Sequence, residues 1–405
     1  MAHYLGPLML LVASLGSLFL SFWIVIPAPT ARLLPLSVGA PEISPWLLAI
    51  QGLILSITLW IGRWGSGLGW PQRLTLLASL IGLSLSLLPL AQLPSTHQQV
   101  TLAMQTALGQ DYLARIPADL QQRFRPRPLI WVDAFRGIAP SSVAVQQDIV
   151  FAQPDGVPLT LTVYGPSLPG SHPTLVAVYG GAWRSGSPND YESLGRYLAA
   201  QGYTVVALDY RHAPRYRFPS QLQDVQTALA YIRDHAADLA IDLTRVAIMG
   251  RSAGAQLAAI ATYNTSPLPL RAVIDYYGPV DLRAGYERPP IPDPIDTRAV
   301  LEDFLGGTPQ QVPHLYHQAS PIHYVRPELP PTLLVYAGRD HIVQPSYGQD
   351  LYQKLKATGN RVVWLSIPWA DHAFDTVFHG VSNQLALYHT ERFLAWALAA
   401  EPPCP

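Results

Sequence analysis

The run Arg245-Val246-Ala247-Ile248-Met249-Gly250-Arg251-Ser252-Ala253-Gly254-Ala255-Gln256-Leu257-Ala258-Ala259-Ile260-Ala261 decides the fold. Residues 246–249 are an unbroken apolar stretch, which suits a strand buried on both faces of a parallel sheet. The Gly-x-Ser-x-Gly turn at 250–254 follows at once, and residues 255–261 have high helix propensity and no breaker. The pentapeptide is a weak signal alone, but between a strand and a helix it has a mechanical meaning. It predicts a strained Ser252 held above the sheet edge, with small residues two before and two after so that strand and helix can close. Ser252 is therefore the candidate nucleophile; the plain alternative is an incidental structural turn.

Outward from this run, a globular pattern occupies residues 148–405. Residues 149–151 and 159–163 read as two strands around the turn Pro154-Asp155-Gly156. Apolar strands at 174–179, 204–208, 245–249, 272–276, 332–336 and 362–367 then alternate with helix-like segments at 191–201, 222–237, 253–263, 346–358 and 384–399. A starting hairpin followed by strand–helix alternation predicts a mostly parallel eight-stranded sheet with helices on both faces. The proline-rich excursion near 282–331 interrupts the alternation where a lid would be inserted.

A serine hydroxyl needs a base within hydrogen-bond reach, and that base needs a carboxylate to hold its tautomer. In this topology the partners are expected in the order acid, then histidine, on loops after late strands. Asp340 ends Leu333-Leu-Val-Tyr-Ala-Gly-Arg-Asp, and His372 follows the strand at 362–367. Asp371 and Asp375 are rival acids, though close in sequence to His372; His341, His379 and His389 are rival bases. A tetrahedral oxyanion needs preset N–H donors. One is expected from Ala253, the others from the loop Gly180-Gly181-Ala182-Trp183.

Several stretches now carry a resemblance. Tyr179-Gly-Gly-Ala-Trp, Leu208-Asp-Tyr-Arg-His-Ala-Pro, Phe218-Pro, Gly250-Arg-Ser-Ala-Gly, Gly278-Pro-Val-Asp-Leu, Ala319-Ser-Pro-Ile, Gly338-Arg-Asp and Asp371-His-Ala-Phe occur in the order found in the α/β-hydrolase superfamily. From residue 148 onward the chain resembles its hormone-sensitive-lipase-like and feruloyl-esterase-like carboxylesterases. The resemblance implies an α/β-hydrolase fold, a Ser252–His372–Asp340 triad, an oxyanion hole of the Gly181, Ala182 and Ala253 amides, ester cleavage through an acyl-enzyme, and structural support from 209–211. It implies no cofactor. Tyr179 stands where the family usually has histidine, and Ala182 where it has a third glycine. Both departures also occur in plant prenylcysteine methylesterases, which are similar in having an N-terminal membrane region. Arg251 replaces the usual acidic or amide residue, either as a surface-facing neutral change or as a sensor of an anionic group.

Other readings remain open on the same fold: an exopeptidase of the prolyl-oligopeptidase kind, a membrane acyltransferase, or a non-catalytic ligand-binding protein. The first would normally carry an N-terminal β domain, which residues 1–147 do not supply. The third would have lost the histidine.

Residues 1–93 are of a different kind. Runs at 5–26, 46–62 and 74–93 carry no charge, and each is long enough to cross a hydrocarbon core as a helix. A cleaved signal peptide is the alternative for the first, but residues 1–4 offer no basic region. Trp60, Trp64 and Trp70 with Arg63 and Arg73 flank a turn-rich loop, as at a membrane interface. About three membrane helices are predicted, with buried core helices as the plain alternative, though three such charge-free runs in succession are rare in a soluble domain; arginine placement leaves sidedness open. Residues 94–147 form a Gln-, Arg- and Pro-rich connector. Val100, Met104 and Leu108 predict a short amphipathic helix there, and the apolar patch at 129–135 reads either as an interfacial segment or as part of a cap.

The 405 residues carry 26 basic and 27 acidic side chains. Nothing in this balance suggests a nucleic-acid partner; a small-molecule or lipid-like ester and the bilayer are the partners expected. Only 13% of residues are charged and the mean hydropathy is +0.17, most of the excess lying before residue 94. The single cysteine, Cys404, allows neither an intrachain disulfide nor a cysteine-built metal site, and no histidine cluster has zinc spacing.

Overall fold

The computed structural model describes residues 2–64, 68–139 and 141–399. Cys404, Met1 and the middle of the turn-rich 63–73 loop lie outside the described residues. The chain opens with helices α1 (Ala2–Phe22), α2 (Leu34–Glu42), α3 (Ser44–Trp64) and α4 (Trp70–Leu108). The short helices α5 (Ala118–Gln121) and α6 (Trp131–Arg136) lead into the sheet.

Eight strands follow: β1 (Ala144–Ala152), β2 (Leu159–Gly165), β3 (His172–Val178), β4 (Thr204–Leu208), β5 (Ile241–Arg251), β6 (Ala272–Tyr276), β7 (Thr332–Ala337) and β8 (Val362–Ile367). Their spatial order is β1-β2-β4-β3-β5-β6-β7-β8. β1 and β2 are antiparallel to their neighbours, and every pairing from β4 to β8 is parallel. The parallel strands β4, β6 and β7 are buried throughout and are apolar apart from Thr204, Thr332 and, inside β6, Asp275. This is the sheet that the alternation of apolar runs predicts. β1 starts earlier than expected, within the polar Ala144-Val-Gln-Gln stretch, because it is a largely exposed edge strand that needs no apolar alternation.

Between the strands lie α7 (Glu192–Ala200), α8 (Ser220–Asp234), α9 (Ala253–Tyr263), α10 (Leu282–Glu287), α11 (Thr297–Leu305), α12 (Pro313–Gln318) and α13 (Pro345–Ala357). α14 (Val381–Ala397) closes the described chain. α10 to α12 fill the excursion between β6 and β7.

Three of the first four helices, α1, α3 and α4, are long and apolar enough to cross a membrane. Their residue distribution is inverted relative to a water-soluble bundle. Leu5, Met9, Val12, Leu53, Trp60 and Leu77 are exposed, whereas Ser14, Ser21, Gln51, Ser79 and Ser86 are buried. Ser14 Oγ lies 3.0 Å from Ser79 Oγ and Ser21 Oγ 3.0 Å from Ser86 Oγ. The Gln51 amide donates to the Ser14 carbonyl at 3.2 Å. A Cβ on Gly82 would come within 2.4 Å of that amide nitrogen. Small and polar side chains at helix contacts, with bulk facing outward, suit association in a medium that supplies no hydrophobic drive.

α4 runs through Pro89 and Pro94 without interruption, so the change of composition at 93/94 falls inside a helix. Its last turns bury Val100, Met104 and Leu108 and pack on β8 and α14. The connector is pinned to the same helix: buried Arg125 reaches Gln384 Oε1 at 2.6 Å and Asp133 at 2.9 Å. α6 leaves Trp131 and Val132 exposed and packs Phe135 edge-on against Trp46, ring centroids 4.9 Å apart. α6 thus lies at the surface beside α3.

Candidate active site

β5 ends at Arg251 and α9 begins at Ala253, which leaves Ser252 alone to reverse the chain. It does so at φ 50°, ψ −122°, a conformation that costs a residue with a Cβ about 1–3 kcal/mol. Its amide is tied to the Tyr276 carbonyl at 2.9 Å. The flanking glycines have no room for a side chain. A Cβ on Gly254 would lie 2.1 Å from the Val178 carbonyl oxygen, and one on Gly250 would lie 2.3 Å from the Ala255 Cα.

Asp340 follows β7 and His372 follows β8, so both emerge at the carboxyl edge of the sheet beside Ser252. The structure brings the three together. His372 Nε2 lies 2.9 Å from Ser252 Oγ, and its Nδ1 lies 2.7 Å from Asp340 Oδ2. The other Asp340 oxygen accepts the Ile342 and Val343 amides at 2.8 and 2.7 Å. Burial pushes the Asp340 carboxyl up from the ordinary range, and the His372 ring and Ile342 amide hold it down against that. For His372, burial favours the neutral ring, but the field and hydrogen bond of Asp340, aided by Asp371 and Asp375, leave its pKa above the ordinary histidine value.

The rival residues have other partners. Asp371 faces His341 Nδ1 at 3.5 Å and accepts the His372 amide at 2.8 Å. His389 is buried in α14, 3.1 Å from His97 Nδ1.

Gly181, with φ +123°, and Ala182, with φ +54°, turn the loop after β3 back toward Ser252. Among the described residues, the Gly181, Ala182 and Ala253 amides donate no hydrogen bond to the protein. The Tyr179 ring turns away from them. Its hydroxyl donates to Asp209 at 2.5 Å and sits 2.9 Å from His212 Nε2, while the ring stacks on Tyr210 at 4.4 Å. Arg211 continues this support through a buried pair with Asp224 at 2.8 Å.

Arg251 is neither free on the surface nor aimed at open solvent. Its Nε pairs with buried Asp375 at 2.5 Å, and its guanidinium lies over the Tyr191 ring at 4.2 Å. The Tyr277 hydroxyl donates to the same Asp375, and the Tyr277 ring lies 4.6 Å from the His372 ring. In the sequence Asp375 stands out only as a rival acid, because nothing along the chain links positions 251, 277 and 375.

Two cavities meet at Ser252. One is apolar, about 60 Å³, and is walled by Trp183, Leu282, Ile295, Val300, Leu301 and Val343, among others. The other is a wider cleft of about 590 Å³ with Tyr277, His372, Thr376 and Phe378 in its wall.

Sheet order, nucleophile-type turn and the loops that carry Asp340 and His372 together define an α/β-hydrolase fold. Residues 161–355 match the BD-FAE family model. The chain is 34% identical over 223 residues to the esterase LipC of Mycobacterium tuberculosis, an alignment covering 50% of this chain and 53% of LipC. It is 27% identical over 248 residues to the probable carboxylic ester hydrolase LipM of the same organism, covering 58% and 56% of the two chains. The chain thus spans about half the length of the curated relatives it matches. The solved structure of a bacterial heroin esterase superposes with a TM-score of 0.57 at 23% identity, covering 64% of this chain and 85% of that one, a likeness of fold.

Proposed function

We propose that this protein is a membrane-anchored serine hydrolase that cleaves carboxylic esters through an acyl-enzyme. The observation that carries the reading is the continuous Ser252 Oγ–His372–Asp340 hydrogen-bond chain beside three unpartnered amides. Ser252 attacks the ester carbonyl while His372 Nε2 takes its proton, and Asp340 holds the imidazole and stabilises its charged form. The developing oxyanion sits against the Gly181, Ala182 and Ala253 amides, already oriented before reaction. His372 then protonates the departing alcohol, and water activated by the same imidazole releases the acid. No metal or organic cofactor is called for. The BD-FAE match and the two esterase relatives support this chemistry, and the three outward-apolar helices support anchoring by residues 1–93. The expected catalytic unit of 148–405 extends to the start of β1 at Ala144, because that strand belongs to its sheet, and the connector is the segment between α4 and β1.

The test is activity-based: detergent-solubilised full chain against p-nitrophenyl esters of graded acyl length, with fluorophosphonate labelling in parallel. Turnover together with a labelled Ser252 is expected. Preference for aminoacyl amides would favour an exopeptidase, and an unlabelled serine would favour a binding protein. The chain should stay with the pellet when membranes are washed in alkaline carbonate; release into the wash would contradict anchoring.

The pH dependence follows from His372. The ring must be neutral to act as a base, so kcat/KM should fall as pH drops through its pKa. Because Asp340 and its acidic neighbours raise that pKa, the acid limb should inflect above 6.5. Asp340→Asn should move the inflection downward as well as slow the reaction. A wild-type limb inflecting below 6.5 would contradict this account of the pair.

A further inference from the structure

The two cavities at Ser252 differ in which of them holds the imidazole. His372 lines the wide cleft and not the small apolar pocket. In the proposed reaction the leaving oxygen must take its proton from His372 Nε2, so the alcohol half of an ester lies on the imidazole side. The substituent on the acyl carbon then points the other way, into the pocket of about 60 Å³ beneath α10 and α11. Space is scarce for the acyl half and generous for the alcohol half.

The wide cleft does not stop at His372. Ser193 and Phe378 line both it and an adjoining hollow of about 160 Å³, whose far wall is Ile138 and Ala139 with the Glu192–Arg196 ion pair alongside. Ile138 lies two residues beyond α6. There Trp131 is exposed, Phe135 stacks beside it at 6.4 Å, and Phe135 meets Trp46 at the start of the apolar helix α3. Aromatic side chains with one face packed and the other open are suited to the headgroup level of a bilayer. Cleft and hollow together form a trough that leads from Ser252 to Ile138, two residues beyond the helix that carries Trp131 and Phe135.

Resting on the function proposed above, we propose that this trough receives the long apolar alcohol of an amphiphilic ester bearing a short acyl group, taken up from the bilayer surface at the Trp46–Trp131–Phe135 cluster. Attack forms the Ser252 Oγ–acyl bond and breaks the acyl–oxygen bond to the long alcohol. The serine proton passes through His372 to that oxygen, and water then cleaves the short acyl-enzyme to a carboxylic acid. The long alcohol leaves by the route it came.

Two isomeric esters separate the cavities: hexadecyl acetate and ethyl hexadecanoate, each presented in phosphatidylcholine vesicles to the reconstituted full chain. Hexadecyl acetate should have the higher kcat/KM by at least about tenfold, since a long acyl chain cannot be seated in the small pocket. Ile138→Trp should lower the ratio of hexadecyl acetate to p-nitrophenyl acetate turnover by about tenfold. A ratio taken on one preparation does not move with the folded fraction. Equal or better turnover of ethyl hexadecanoate overturns the assignment, as does an unchanged ratio in Ile138→Trp. Failure to hydrolyse p-nitrophenyl acetate would sink the esterase reading itself, and release by carbonate the uptake from the bilayer; neither outcome resembles a reversed isomer preference.

Discussion

Ser252→Ala should lower kcat for p-nitrophenyl esters by roughly 10⁴-fold or more and abolish the fluorophosphonate adduct. Loss on this scale is expected because, in the proposed mechanism, the hydroxyl oxygen alone forms the covalent bond to the acyl group. The oxyanion amides and the binding cavities survive in the variant and can supply only the residual rate. Structure should be untouched, since alanine meets the same neighbours at the same φ of 50°. A second substitution sharpens the argument. Ser252→Gly removes the Cβ that makes this conformation costly, and should be as inactive as alanine yet more stable by about 1 kcal/mol, after glycine's extra chain entropy is set against the relieved strain. Together the pair would separate strain from chemistry. Activity within tenfold of wild type in either variant would remove Ser252 as the nucleophile.

The sheet was legible because its signal is local. Each parallel strand must be apolar on both faces, so β3 to β8 stand out as runs, and the turn at 250–254 is marked by backbone contacts that exclude side chains. The meeting of Ser252, Asp340 and His372 was legible because all three follow strands that run the same way. Relations across the chain left no such mark. Ser14, Ser21, Gln51, Ser79 and Ser86 read as tolerable polar interruptions of apolar runs, yet they form the seam between helices. The boundary at 93/94 follows a change of composition from apolar to Gln- and Pro-rich, and that change falls inside α4, where Pro89 and Pro94 are both accommodated.

Segment 23–43 offered no recognisable motif, although it docks behind the His372 loop. There the Glu42 carboxylate accepts the Ser382 amide at 2.8 Å. Burial, only partly offset by hydrogen bonds from Ser382 and Asn383, pushes the Glu42 carboxyl up to about 8. A carboxyl whose pKa is set by its burial gives no hint of this in a sequence.

Arg251→Met should destabilise the protein more than removal of Arg251 and Asp375 together. Asp375 is 3% exposed and has two supports, the Arg251 guanidinium and the Tyr277 hydroxyl. Taking away the cation leaves a buried carboxylate with a single hydroxyl donor, a defect that typically costs about 3–5 kcal/mol. For a domain of this size that is a fall in melting temperature of roughly 10 °C. Replacing both partners in Arg251→Met/Asp375→Leu removes the stranded charge and should recover most of the loss, short of the cost of an unpaired Tyr277 hydroxyl. Activity should follow geometry. Arg251 precedes Ser252 and Asp375 lies three residues beyond His372, so the pair clamps the turn that carries one to the loop that carries the other. Loosening it should cost about 10- to 100-fold in kcat/KM for uncharged esters. If Arg251 instead recognised an anionic substrate, its loss would raise KM for acidic esters alone and leave stability unchanged. Additive single and double variants, with no coupling between them, would equally refute the clamp.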